Sequence, residues 1–311
     1  MARIAEKIDN LLEYLGRRPK NYYHSTKVIT YDPKDALTFY LDPSSKAYYN
    51  GPFDPNGIPL YSHKRKLDYL PILICFFALG HLVLYRQHGK EENLSQFLKV
   101  VEWLVTKQDR NGSWLTPFPV KKFGIHQPFP SAIVQGAAIS CLIRAFLLCQ
   151  DDRYAESAIR ALAPYQRDLR EGGVASYNGG HVFYEEYPAE PNHHVLNGFI
   201  YAMWGLIDLV RVHSNREAKL LYEEGLKTLI DWLPSFDIGY WSLYHLSEGT
   251  RNPATVNYHR LHIAQLDVMY SLTGIDIFQE YRKLWTEYLQ NRLNAIRTLP
   301  AKLWWHWTYR P

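Results

Sequence analysis

Residues 183–194, FYEEYPAEPNHH, put two adjacent carboxylates, Glu185 and Glu186, between Tyr184 and Tyr187, and Pro188 fixes the turn that follows. On an extended segment neighbouring side chains leave on opposite sides, so a glutamate and a tyrosine share a face as 184 with 186 or as 185 with 187. A carboxyl among aromatic rings loses solvation, and its pKa rises toward a value useful for acid–base work. The plain alternative is a pair of solvated loop glutamates. Residues 257–266, NYHRLHIAQL, crowd Tyr258, His259, Arg260 and His262 at the start of a helix. A cationic cluster there would favour the Tyr258 phenolate. The His259/His262 spacing lacks a third ligand, which argues against a metal. Residues 237–246, DIGYWSLYHL, gather Tyr240, Trp241 and Tyr244 after a glycine. Gln135 and Arg144 lie on a helix rich in small residues, and Asn197 and Gly198 open another; for these four, packing is the simpler role.

The elements that must position these groups are helical. Apolar residues recur at helical spacing over 61–88, 92–108, 131–149, 151–167, 192–213, 215–233, 260–273 and 275–296. Asp151 and Asp152 suit a helix cap, and Pro234 ends a helix. Short Gly-aromatic stretches at 109–114, 171–180 and 237–241 follow helices and read as turns or short hairpins. Sequential helix pairs with loops gathered at one end predict a mainly α fold, an incomplete α/α toroid with short β hairpins between helices. Residues 1–60 read as an N-terminal helix, with its apolar face over 3–17, and a Tyr/Pro-rich extended segment. Residues 61–311 carry the toroid, and the two are expected to form one unit.

Composition sets the outer limits. The chain has 311 residues, 47% hydrophobic and 21% charged, which fits a folded chain with a full core. Its net charge is 35 − 31 = +4, with 13 His. That suits an acidic small molecule or polyanion, and no Lys/Arg block suggests a nucleic-acid partner. With 24 Tyr, 9 Trp and 13 Phe, the chain has rings to spare for flat ligands such as sugars, or for its own core. Cys75, Cys141 and Cys149 are odd in number and form no CxxC pair, which argues against a disulfide framework or zinc knuckle. No Gly-rich phosphate loop or GxSxG elbow occurs. The apolar run over 70–85 is short for a membrane span. A charged N-terminus with no signal peptide leads us to expect a cytoplasmic protein with no membrane partner. WWHW at 304–307 reads as a docking cap.

Taken in order, QGAAIS…LIRAF, YEEYP, VLNGF and YHRLHIAQL resemble the C-terminal domain of the D-glucuronyl C5-epimerases over about residues 100–290. YYNGPFDPNGIPL and the helix after it resemble the entrance of that domain in shorter microbial members. YEEYP and YH..HI.QL are specific in combination. The resemblance implies conversion of glucuronate to iduronate within a heparan-like polymer, with no cofactor and no metal. It implies Glu186 on one face of the ring and Tyr258 on the other, with Tyr187 and Tyr244 as further active-site tyrosines. Substrate contacts are expected from Tyr184, Glu185, Asn197, Gln135, Trp241, Arg251, His259, Arg260 and His262. The expected partner is an acidic polysaccharide, and a homodimer is compatible with the chain.

One feature departs from the family. An arginine is expected three residues after the tyrosine matching Tyr244 and another three before that matching Tyr258, where this chain has Ser247 and Thr255. Arg260 and Arg251 are the expected replacements, ahead of His259 or a lysine of the 121–122 pair. Other classes stay open. A uronate polysaccharide lyase would take the same C5 proton and eliminate at C4. A non-catalytic glycan-binding protein would keep the groove alone. A glycoside hydrolase would need a second carboxylate, such as Asp237, across the bond.

Overall fold

The computed structural model describes Lys27 and residues 35–63 and 66–308. The helix expected over 3–17 lies outside the described residues.

Four helical hairpins follow one another: α1 (Pro71–His88) with α2 (Glu91–Lys107), α3 (Ala132–Cys149) with α4 (Asp152–Arg160), α5 (Leu196–His213) with α6 (Arg216–Trp232), and α7 (Val256–Thr273) with α8 (Asp276–Gln290). The first helix of each pair has 18 residues and buries half of them or more. These helices line up as an inner layer, α1 against α3, α3 against α5 and α5 against α7. The second helices are amphipathic and cover the outside, as their one-sided apolar faces require. The result is the incomplete α/α toroid that the helix pairing predicts. Two short helices, α9 (Arg292–Arg297) and α10 (Leu299–Thr308), follow. The inner helix α3 is long and apolar enough to cross a bilayer, but most of it is buried among its neighbours.

Each inner helix ends in the same way. Gly89, Gln150, Ser214 and Gly274 take left-handed backbone angles and donate their N–H groups to Tyr85, Phe146, Val210 and Tyr270. One extended residue follows, and the outer helix begins. Asp151 and Asn215, in that extended position, cap their helices by accepting from the N–H groups of Arg153 and Ala218.

The centre of the layer is tight. A Cβ on Gly205 of α5 would lie 2.5 Å from Gly136 Cα of α3, so the two backbones cross in contact. Farther along the same helices, Arg144 and Asp208 form a buried ion pair at 2.6 Å, with exposures of 0% and 1%. The Asp208 carboxylate also accepts from Tyr40 and Ser140, each at 2.6 Å. Arg144 donates to the carbonyls of Leu37 (3.2 Å) and Thr38 (2.9 Å), which fastens the segment before α1 to the toroid. Phe39, Tyr40 and Leu41 join the main core.

Three antiparallel hairpins decorate the helices: β1 (Tyr61–His63) with β2 (Lys66–Asp68), β3 (Ala175–Asn178) with β4 (His181–Tyr184), and β5 (Leu243–Ser247) with β6 (Thr250–Pro253). The helix expected over 61–88 therefore starts only at Pro71, whose fixed φ suits the first turn, and 61–68 is a hairpin instead. The helix expected over 151–167 stops at Arg160 and gives way to a 3-10 turn, Ala163–Gln166, that contains Pro164. Cys75, Cys141 and Cys149 are free thiols.

Candidate active site

Because the inner-to-outer turns are so short, the long connections all return to the N-terminal ends of the inner helices. There they bond to one another. Ala132 N–H donates to Glu185 O (2.9 Å), Leu246 N–H to His194 O (3.3 Å), and Ser131 Oγ to Glu186 O (2.7 Å). Gln265 Nε2 of α7 donates to Asn197 O of α5 at 3.0 Å.

Strand β4 ends at Tyr184, so the strict alternation expected for YEEYP breaks there. The Tyr184 hydroxyl donates to Leu221 O on α6 (2.7 Å), inside the core. Glu185 is fully buried and bonds Ser176 Oγ and His194 Nδ1, each at 2.6 Å, which locks the hairpin to the following loop. Glu186 and Tyr187 turn together toward the mouth. Glu186 lies against Gly198 in the first turn of α5, where an added Cβ would sit 2.7 Å from Glu186 Cβ. Its Oε2 is 3.4 Å from Asn197 Nδ2. Burial pushes the Glu186 carboxyl up to about 7, against the opposing pull of a Tyr187 hydrogen bond, the Lys122 charge and Asn197.

The aromatic wall is continuous. The Tyr187 ring is 4.5 Å from that of Phe123, and Tyr187 also hydrogen-bonds Tyr244. Tyr244 meets Tyr258, in the first turn of α7, at 4.8 Å and 66°. Burial raises the pKa of both Tyr187 and Tyr244 well above the ordinary phenol value, so both are neutral donors. Lys122 Nζ lies 4.9 Å from the Phe123 ring centre and 5.7 Å from that of Trp305 on α10. Phe123, Tyr187, Tyr244, Tyr258 and Trp305 belong to one small apolar cluster at this end.

Glu186, Tyr187, Tyr244 and Tyr258 thus come together, with Asn197 beside them. Other expected substrate contacts lie elsewhere. Gln135 is fully buried and donates to Gly112 O (2.9 Å) and Ala161 O (3.1 Å), holding loops to α3. Trp241 donates to Ala254 O (2.9 Å) and stacks on His259 at 3.8 Å. His259 and His262 both bond Ser242 Oγ, at 2.7 and 3.0 Å, and His259 Nε2 reaches Trp285 O at 3.0 Å. Burial pushes His259 down to about 3 and His262 well below its ordinary value, so both are neutral. His259, Arg260 and His262 therefore do not form the cationic cluster expected beside Tyr258, since helical spacing turns the two rings inward and Arg260 outward. Arg260 is exposed beside a surface depression it shares with Asp267 and Arg282, and Arg251 is exposed on β6. Lys122, from the 121–122 pair, is a cation that acts on Glu186.

Three further groups lie at this end: His193 and His245, which fall within the motifs at 183–194 and 237–246 but have no expected role there, and Lys302, which falls in none. Only the fold brings them to the cluster. Among the described residues no three His, Cys, Asp or Glu side chains group to hold a metal ion.

Gly198→Ala is expected to force the Glu186 carboxyl from its bed into water and to return its pKa toward the ordinary 4.5. A carboxyl NMR titration checks this, and a midpoint still near 7 would count against the close packing described.

The sequence profile of the D-glucuronyl C5-epimerase C-terminus matches residues 108–287. A D-glucuronyl C5-epimerase of Caenorhabditis elegans is 32% identical over 219 residues, 64% of this chain and 36% of that protein. The chain thus spans little more than a third of that relative. An uncharacterized protein of Methanocaldococcus jannaschii is 27% identical over 228 residues, 68% of this chain and 73% of that protein. Among solved structures, the cellobiose 2-epimerase of Bacillus thermoamylovorans B4167 superposes with a TM-score of 0.54 at 10% identity, covering 71% of this chain and 59% of that one. At that identity the likeness is one of fold.

Proposed function

The chain belongs to the D-glucuronyl C5-epimerase C-terminal family, and from that premise we propose that it inverts C5 of glucuronate residues within a heparosan-like polysaccharide, without a cofactor. The observation that carries this reading is a buried carboxyl, Glu186, held at about 7 beside a lysine at an aromatic mouth. The C5–H bond of a uronate is adjacent to a carboxylate. Breaking it leaves an electron pair that delocalises into that carboxylate, which gains a second negative charge. Glu186 takes the proton from one face, and a value near 7 suits it both to take and to return one. Tyr258, at the tip of the neighbouring inner helix, donates to the other face. Tyr187 orients Glu186 through its hydrogen bond, and Lys122 offsets the carboxylate charge. A purely glycan-binding protein would have no use for a carboxyl kept near neutrality at the cost of burial.

Proton NMR of an unsulfated glucuronate–glucosamine polymer, incubated with the protein in heavy water, tests the proposal. Deuterium at C5 with new iduronate signals is the expected result. Unsaturated uronate signals would mean a lyase, and no exchange on any uronate polymer would overturn the reading. Tyr258→Phe separates the two faces. Inversion is expected to fall about 10²-fold or more, while the epimer whose C5–H faces Glu186 still exchanges deuterium. If this variant inverts C5 normally, Tyr258 is not the second acid–base group.

A further inference from the structure

The dianion proposed above needs more than one positive charge near it, and helix α10 brings a second lysine. This helix lies beyond the residues matched to the family. Lys302 Nζ is 5.1 Å from the Trp305 ring centre, and Lys122 Nζ is 5.7 Å from the same ring. Lys302 is held by Asn252 Oδ1 (2.5 Å) and Pro253 O (3.1 Å) on β6, the strand paired with the one that carries Tyr244. Next to them His245 is wholly buried. Its ring centre is 5.9 Å from that of Trp305 and 5.8 Å from that of Tyr244. Burial pushes His245 down to about 3 and His193 to about 4, so both rings are neutral and the two lysines are the cations at this end. Burial also pushes Lys302 down to about 7, with the Lys122 charge adding to the effect, and Glu186 acts on Lys122 in the opposite sense. Two amines in a desolvated pocket lose part of their charge to each other, and an anion bound between them would restore it to both.

We propose that Lys302 is a further catalytic residue, which with Lys122 holds the carboxyl of the reacting uronate and stabilises the dianion formed when C5 loses its proton. The inference rests on the epimerase reading. The C5–H bond breaks, the proton passes to Glu186, and the electron pair enters the carboxyl group between the two ammonium groups. Nothing is oxidised or reduced. Because the second charge develops only as the bond breaks, Lys302 contributes more to the transition state than to the bound substrate.

The test compares wild type with Lys302→Met, Lys302→Arg and Asn252→Ala on the unsulfated glucuronate–glucosamine polymer, reading C5 exchange with thermal melting alongside. Lys302→Met keeps the stem that packs on Trp305. It is expected to lower kcat about 10²-fold with KM within about threefold, and Lys302→Arg to restore most of the loss. Asn252→Ala frees the Lys302 ammonium from one of its two anchors but keeps the charge, so it is expected to lower kcat less than Lys302→Met. A Lys302→Met variant with normal kcat, or with only KM raised, overturns the proposal and leaves the epimerase reading standing. Lys302→Arg as slow as Lys302→Met would also overturn it, since the charge would then have no role of its own. A wild type that exchanges no C5 proton on any uronate polymer overturns the epimerase reading first, and this inference with it.

Discussion

Glu186→Gln is expected to abolish C5 inversion, by about 10³-fold or more, and to make the fold more stable above pH 7. The two effects share a cause. The carboxyl titrates at about 7 in the native protein against 4.5 when exposed, because burial penalises its charged form. Between those values the native state binds more protons than the unfolded chain, so wild-type stability falls as pH rises from about 4.5 through about 7. Above that range the whole penalty is in place, on the order of 3 kcal/mol at 1.36 kcal/mol per pKa unit. Glutamine carries no charge and escapes it. Urea unfolding at pH 5 and pH 8 checks the point: the variant should gain on wild type only at the higher pH, and a loss at pH 8 would contradict the burial argument. The same ionisation sets the acid limb of kcat/KM near pH 7. That limb must match in both directions, because isomerisation takes up no net proton and its equilibrium constant is independent of pH.

Arg144→Met is expected to destabilise the protein by about 3–5 kcal/mol, because it strands the Asp208 carboxylate in the core. The Tyr40 and Ser140 hydroxyls still donate to that carboxylate but cannot neutralise it. The variant also frees the Leu37 and Thr38 carbonyls, loosening the segment before α1. Adding Asp208→Asn removes the charge and keeps an acceptor for one of the two hydroxyls, while its new amide can donate to the other, so the double variant should recover a good part of the loss. A double variant no better than the single would mean that the bonds to residues 37 and 38, rather than the stranded charge, dominate. Both residues lie toward the C-terminal ends of α3 and α5, away from Glu186, so folded Arg144→Met protein should turn over normally.

The helices were legible because their apolar spacing is regular and their ends carry chemistry that acts locally, as at Asp151. The start of α1 was not, since the apolar residues of 61–68 fit a helix face as well as a hairpin. At the site, Glu186, Tyr187, Tyr244 and Tyr258 could be picked out by motif, and the fold gathers them. The supporting residues could not be sorted in this way. His259 and His262 sit in the same motif as Tyr258, yet a fraction of a helical turn buries them against Ser242 and Trp285. Arg260, one residue further, faces solvent. Lys302 and His245 become relevant only once β6 and α10 fold over the mouth, a long-range fact that no local pattern records.

The four left-handed turns divide the labour between the two ends of the toroid. At one end each passage from inner to outer helix is as short as the chain allows, so an insertion there would shift the register of every contact above it. At the other end the chain has length to spare. Descendants of this architecture can therefore rebuild the rim around a substrate by lengthening, shortening or exchanging loops, and no inner helix need move. The toroid is a fixed chassis with a single adaptable port, and an engineer seeking new glycan specificity should work at that port alone.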